Sequence, residues 1–182
     1  MEKIVVFLIL SVPIIYVSRR NLLQPDTHGF YRFLSWECIL WLGVSNIVFW
    51  FDEPFRLNQV FSWILLVISG VFVISGIVTL KRKGNPLSER QESELYNFEK
   101  TSALVDTGIY KYIRHPLYSS LLFLGWGIYL KKPDLILLVV AFLMSVFLYL
   151  TARCDEKECT TYFGQKYKDY MNRSKRFVPF VF

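Results

Sequence analysis

The run from Val60 to Leu80, VFSWILLVISGVFVISGIVTL, holds 21 residues without one charge. At about 1.5 Å per helical residue it reaches about 31 Å, the thickness of a bilayer core. A second charge-free run, Leu135 to Ala152, extends over 18 residues. Three further apolar segments accompany them: Ile4–Ser18, interrupted by Pro13; Phe33–Phe51, with Glu37 near its start; and Pro116–Leu130, short at 15 residues. In lipid only a helix satisfies its own backbone, so the pattern predicts an all-α integral membrane protein with five transmembrane helices. The composition, 53% apolar and only 20% charged, excludes a soluble or disordered chain. Three cysteines without paired spacing exclude a disulfide scaffold. The first segment has a weakly charged start, no small-residue cleavage signal and Arg19-Arg20 behind it, so it reads as a retained span.

The basic residues set the expected orientation. With the N-terminus outside, the inner segments 19–32, 81–115 and 153–182 carry 17 Lys and Arg, against 4 on the outer side. That asymmetry places the C-terminus in the cytosol. The net charge of +6 is thereby explained by orientation and gives no argument for nucleic acid. The short link Lys131–Asp134 makes the last two spans an antiparallel hairpin, with Pro133 suited to the start of the fifth helix. The long polar segments fall on the inner side, so function is expected there.

Two histidines are present. His28, beside Gly29 in a polar loop, reads as a surface residue without a role. His115 stands in Gly108-Ile109-Tyr110-Lys111-Tyr112-Ile113-Arg114-His115-Pro116-Leu117-Tyr118. Pro116 turns His115 away from helical conformation and pre-sets the first turn of the fourth span. Arg114 and His115 then lie where a helix N-terminus invites an anion; the same residue types also serve as plain interfacial anchors. Asp155 and Glu156 leave the fifth span at the depth of His115 and suit an ammonium group, or are simply a solvated helix end. Cys154 and Cys159 are not spaced for a metal, so none is expected. The aromatics Phe163, Tyr167 and Tyr170, with Lys166, Lys168 and Arg173 between them, predict an amphipathic helix on an anionic membrane surface, broken from the fifth helix at Gly164. Ser62, Ser69 and Gly76 recur every seven residues, which reads as close helix packing or, at Gly76, as room for a ligand near the backbone. Small Ser119 and Ser120 are expected to leave a lateral opening through which an acceptor enters from the bilayer.

Three segments carry a resemblance. Leu104-Val105-x-x-Gly108-x-Tyr110-x-x-x-Arg114-His115-Pro116-x-Tyr118 resembles the central motif of the isoprenylcysteine carboxyl methyltransferase and phospholipid methyltransferase superfamily. Asp155-Glu156-x-x-Cys159-x-x-x-Phe163-Gly164-x-x-Tyr167-x-x-Tyr170 resembles its acidic segment, with Asp155 and Cys159 standing where relatives have Glu and Leu, and Arg176-Phe177-Val178-Pro179 its closing motif. The likeness covers about residues 76–180. It implies S-adenosylmethionine as cofactor, buried near the cytosolic surface and capped by the C-terminal segment. It also implies cofactor contacts from Gly76, Leu104, Val105, Gly108, Tyr110, His115, Pro116, Tyr118, Asp155 and Glu156. Catalytic roles fall to His115, Arg114 and Arg176, and the acceptor is a membrane lipid or a lipidated molecule. On this reading residues 1–59 form an N-terminal pair of spans and 60–182 the catalytic region. In-line methyl transfer needs no metal or covalent intermediate, only positioning in a dry site. The competing expectations are a small membrane reductase using a nicotinamide cofactor and a non-catalytic scaffold of the same fold. A transporter fits poorly, since the spans hold almost no charge and show no inverted repeat.

Overall fold

A computed structural model describes residues 1–25, 27–84 and 103–179. The expected inner segment 81–115 therefore lies partly outside the described residues, as do residues 180–182 of the tail. Among the described residues the chain is all-helical: α1 Glu2–Ser18, α2 His28–Asn46, α3 Leu57–Lys83, α4 Pro116–Tyr129, α5 Leu135–Phe163 and α6 Gln165–Arg173. Short 3-10 turns occur at Asn21–Leu23, Ile47–Phe49 and Gly108–Lys111. Each of the five apolar runs becomes one helix, α1 to α5.

Three helical stretches are long and apolar enough to cross a membrane: His28–Phe49, Leu57–Lys83 and Leu135–Phe163. At 17 and 14 residues, α1 and α4 are shorter. Lipid-facing side chains remain exposed along the outer faces, for example Phe61, Ile64, Val67, Val71 and Ile74 of α3. Their spacing of three and four residues marks one helical stripe.

The helix ends follow from local chemistry. Thr27 caps α2 through a hydrogen bond from Phe30 N to its hydroxyl oxygen. Asp134 caps α5 by accepting from Ile136 N at 2.8 Å and Leu137 N at 3.4 Å, directly after Pro133. Lys81, Arg82 and Lys83 occupy the last turn of α3, where the helix dipole favours cations. Gly164 separates α5 from α6 at φ 61° and ψ −134°, a conformation that a side chain opposes.

α3 packs along α4, and α2 along α5, while α1 lies on the outer side of α2. The seven-residue stripe on α3 forms the first of these contacts. Ser62 Oγ donates to the carbonyl of Gly127 at 2.6 Å, and Ser69 Oγ to that of Ser120 at 2.8 Å. At Gly76 a Cβ would come within 2.9 Å of Leu117 Cδ2, so α4 itself fills the space beside that glycine. The core between α2, α4 and α5 centres on Leu42, Tyr118, Ala141, Met144 and Leu148. Apolar packing of this kind supports the polar groups at one end of α4 and α5.

Two expectations change here. The lateral opening at Ser119 and Ser120 is closed: both are buried, and Ser119 Oγ lies 2.8 Å from the carbonyl of Phe177 and 2.9 Å from that of His115. Small residues at these positions let α3 and the C-terminal segment approach α4. The aromatic stripe of α6 also turns inward. Tyr167 and Tyr170 are buried at 4% and 2% exposure: both face the interior beside the start of α4, where the Tyr170 hydroxyl finds the carbonyl of Tyr110.

Candidate functional site

Where α4 begins, the chain arrives as a 3-10 turn over Gly108–Lys111. Gly108 takes φ 60° and approaches Thr79 of α3 so closely that a Cβ would lie 3.0 Å from its hydroxyl oxygen. His115 is the N-cap of α4 in non-helical conformation, with Pro116 locking the first turn. α5 passes alongside and brings Asp155 and Glu156 to the same level.

His115 is 5% exposed. Its Nδ1 lies 3.4 Å from Asp155 Oδ2, and its Nε2 lies 3.4 Å from Glu156 Oε1. Nε2 nonetheless has no hydrogen-bond partner among the described residues, because that carboxylate is engaged elsewhere. Arg114 Nε donates to Glu156 Oε1 at 2.8 Å. Arg176 donates to both its oxygens, at 3.0 Å from Nε and 2.6 Å from Nη2. Two guanidiniums thus neutralise Glu156, which is 5% exposed, and the expected ammonium partner is occupied from within the chain. Tyr118 stacks on the imidazole at 5.3 Å between ring centroids, and the Arg176 guanidinium rests 5.0 Å from the Tyr149 ring.

Burial disfavours a charged imidazole at His115, yet the carboxylates of Asp155 and Glu156 outweigh it and raise its pKa above the ordinary value. Burial pushes the Tyr170 phenol upward, so it stays a donor, and it gives a 2.6 Å hydrogen bond to the carbonyl of Tyr110.

The C-terminal segment closes over this cluster through its main chain. Arg114 N donates to the carbonyl of Lys175 at 2.7 Å, His115 N to that of Arg176 at 3.2 Å, and Lys175 N to that of Tyr112 at 2.9 Å. Arg114 also reaches the carbonyls of Met171 and Ser174, and Arg173 pairs with Asp106. Between cap and helices lies a cavity of about 110 Å³. Of the residues singled out in the sequence, Leu104, Val105, Tyr110, Arg114, His115, Pro116, Tyr118 and Asp155 line it. Gly76, Gly108, Glu156 and Arg176 stand behind that lining. Leu80, Leu117, Cys159, Phe163, Tyr167 and Tyr170 complete the wall.

His28 needs correction. It is the first residue of α2 and fully buried, not a loop surface residue. Its Nδ1 sits 2.5 Å from Glu158 Oε2, and its backbone N–H donates to Glu158 Oε1 at 3.4 Å. Glu158 lies one turn beyond Asp155 on α5, so this grip ties α2 to the helix that carries the acidic pair. The partner lies 130 residues away in sequence, and the only local signal was a histidine at a helix start.

A bundle of membrane-crossing length, with a buried histidine, two arginines and two carboxylates gathered at one end under a helical cap, defines an integral membrane protein with a polar site. Residues 57–169, more than half of the chain, match the phospholipid methyltransferase family. The chain belongs to that family. It is also similar to a methanethiol S-methyltransferase from Pseudomonas deceptionensis, 27% identical over 73 residues. The match spans 39% of this chain and 26% of that relative's length.

Proposed function

We propose that the protein transfers a methyl group from S-adenosylmethionine to a lipid or lipidated acceptor at the cytosolic face of a membrane. The observation that carries the reading is the buried imidazole of His115, set beside a cavity between Asp155 and Glu156 with no hydrogen bond at Nε2 among the described residues. The lining fits the cofactor's chemistry: the rings of Tyr110, Tyr118 and Phe163 offer stacking for a flat base, and Arg114, His115 and Asp155 offer partners for a charged amino-acid end. When bound, S-adenosylmethionine supplies a methyl on a sulfonium that an in-line nucleophile displaces. Arg114, His115, Tyr118 and Asp155 would hold and orient it, with Leu104, Val105 and Pro116 as apolar lining and Glu156 acting from behind by fixing Arg114. Gly76 and Gly108 bring α3 and the loop close. Arg176, fixed on Glu156, faces the reacting end.

His115 is placed to take a proton from an amine or thiol acceptor at Nε2, with Asp155 orienting the ring. The carboxylates of Asp155 and Glu156 raise its pKa above the ordinary value, which makes the neutral imidazole a stronger proton acceptor. An acceptor that is already a carboxylate meets Arg114 or Arg176 instead. At about 110 Å³ the cavity is below the roughly 300–1,000 Å³ of ordinary ligand sites, so binding requires the cap to move.

The wider arrangement belongs to the same proposal: five spans, N-terminus outside and C-terminus cytosolic, with residues 1–59 as a separate N-terminal pair and 60–182 as the catalytic region. Cysteines placed at Lys132 and Lys175 should label from opposite sides of the membrane; labelling from one side rejects the topology.

A second reading keeps the chemistry and changes the acceptor to a small thiol. Closure at Ser119 and Ser120 favours a molecule arriving from water, and one similar protein is named for S-methylation. The test is calorimetry of the purified protein with S-adenosylmethionine, followed by mass spectrometry of lipids and thiols incubated with methyl-labelled donor. Absence of donor binding sinks the enzyme reading; methanethiol labelled faster than every lipid selects the second acceptor.

A further inference from the structure

The end of the bundle away from His115 holds a larger cavity, about 420 Å³. It is built by the loop before α3 (Asp52, Glu53, Arg56), the first turn of α3 and the α4–α5 turn. Lys131 belongs to its lining and is only 2% exposed, unusual for a lysine in a turn. Gln59 clamps it at two points: Lys131 Nζ donates to Gln59 Oε1 at 3.1 Å, and Gln59 Nε2 donates to the Lys131 carbonyl at 3.0 Å. The ammonium lies 3.7 Å from the Trp63 ring centroid and 5.1 Å from that of Trp50.

Among the described residues no carboxylate stands within ion-pair distance of Lys131. A buried ammonium is costly unless a counter-charge meets it, and here the described residues give it an amide oxygen and two indole faces. Lys132 adds a second cation beside it, with Nζ 4.0 Å from the Phe49 ring. Asp52 and Glu53 also line the cavity, and Glu53 is engaged by Arg56 at 2.9 Å. One side of the cavity is therefore basic and another acidic. Around it the apolar side chains of Phe51, Phe55, Leu57, Leu135 and Ile136 are 71% to 93% exposed. In a membrane protein that rim marks the acyl boundary, where lipid head groups lie.

We propose that this cavity binds the head group of a zwitterionic phospholipid, its phosphate on Lys131 and Lys132 and its ammonium toward Asp52. The acyl chains then run along the exposed apolar rim. This lipid sits at the opposite end of the bundle from the cavity at His115, and the inference does not depend on the methyl-transfer chemistry.

The test is native mass spectrometry of the full chain in detergent, titrated with dioctanoyl phosphatidylethanolamine, dioctanoylglycerol and inorganic phosphate. Lys131→Gln and Asp52→Asn should each weaken phosphatidylethanolamine binding about tenfold, while Lys168→Gln on the exposed face of α6 leaves it unchanged. Dioctanoylglycerol should bind more weakly than the phospholipid, and phosphate should not displace it. Binding unaltered in a folded Lys131→Gln variant overturns the proposal, as does equal binding of dioctanoylglycerol. Displacement by inorganic phosphate at equal concentration also overturns it, in favour of a soluble anion. Should Lys131→Gln fail to fold, Asp52→Asn in the exposed loop decides alone: no loss of affinity overturns the assignment.

Discussion

The two ends of the bundle treat buried charge in opposite ways. At the His115 end the buried charges have opposites within reach: Glu156 takes two guanidiniums and Asp155 faces the imidazole. At the other end Lys131 is as deeply buried, yet among the described residues its ammonium touches only neutral groups, the Gln59 amide and the Trp63 and Trp50 rings. The first arrangement is self-sufficient and locks several chain segments to one carboxylate. The second leaves its ammonium, among the described residues, without an ion-pair partner. Removing a charge should therefore be severe where it strands others and mild where it strands none.

The largest effect is expected for Glu156→Ala. It leaves Arg114 and Arg176 buried without a counter-charge, at a cost of about 3–5 kcal/mol. Thermal unfolding in detergent should show the loss; a melting temperature near wild type would mean that water reaches the pair and that the two ends are alike. Next is His115→Asn, which removes one charge-assisted contact and should weaken S-adenosylmethionine by about 10- to 150-fold. The same variant isolates a pH effect. The pKa of His115 in the fold is raised above 6.5, so its stabilising contribution is complete below that pH and fades as pH rises through the folded value. Wild type should lose stability over that alkaline window, and His115→Asn should lack this component of the slope.

Ser119→Leu ranks third. Overpacking between α4 and the carbonyl of Phe177 should cost about 1–3 kcal/mol of stability. A stable variant with only a raised acceptor KM would restore the lateral route and blur the picture of a sealed end. The smallest effect is expected for Lys131→Gln in lipid-free detergent, about 1 kcal/mol for the lost hydrogen bond, since no opposite charge is stranded. A loss matching that of Glu156→Ala would erase the contrast.

Much of this was readable from local pattern, because local pattern is what membranes and helix starts enforce. The five apolar runs became α1 to α5, and the Pro133–Asp134 and His115–Pro116 pairs fixed two helix starts. The proximity of His115 to the acidic pair followed from hairpin depth alone. What depends on direction was hidden. An aromatic stripe such as Tyr167 and Tyr170 suits lipid head groups and a polar cavity equally, and only packing chooses. Small residues at 119 and 120 permit either a gap or an intimate contact. His28 looked idle because Glu158 comes to it through the α2–α5 interface, which no local spacing encodes. Lys131 read as one of four outer basic residues for the same reason: Gln59 and Trp63 reach it across a turn.

The stripe of Ser62, Ser69 and Gly76 has a mechanical consequence. Two hydroxyl-to-carbonyl links and one close backbone approach weld α3 to α4 over most of their shared length. A wall built this way cannot yield without breaking several contacts together. The cap is fastened otherwise, by hydrogen bonds and ion pairs from Tyr170, Arg173, Arg176 and the stretch around Lys175 instead of close helix packing. Breathing of the cavity should therefore be one-sided, the α3–α4 slab acting as an anvil and α6 as the hinged jaw. Hydrogen–deuterium exchange would register it as slow exchange in α4 beside fast exchange at Gln165–Arg173.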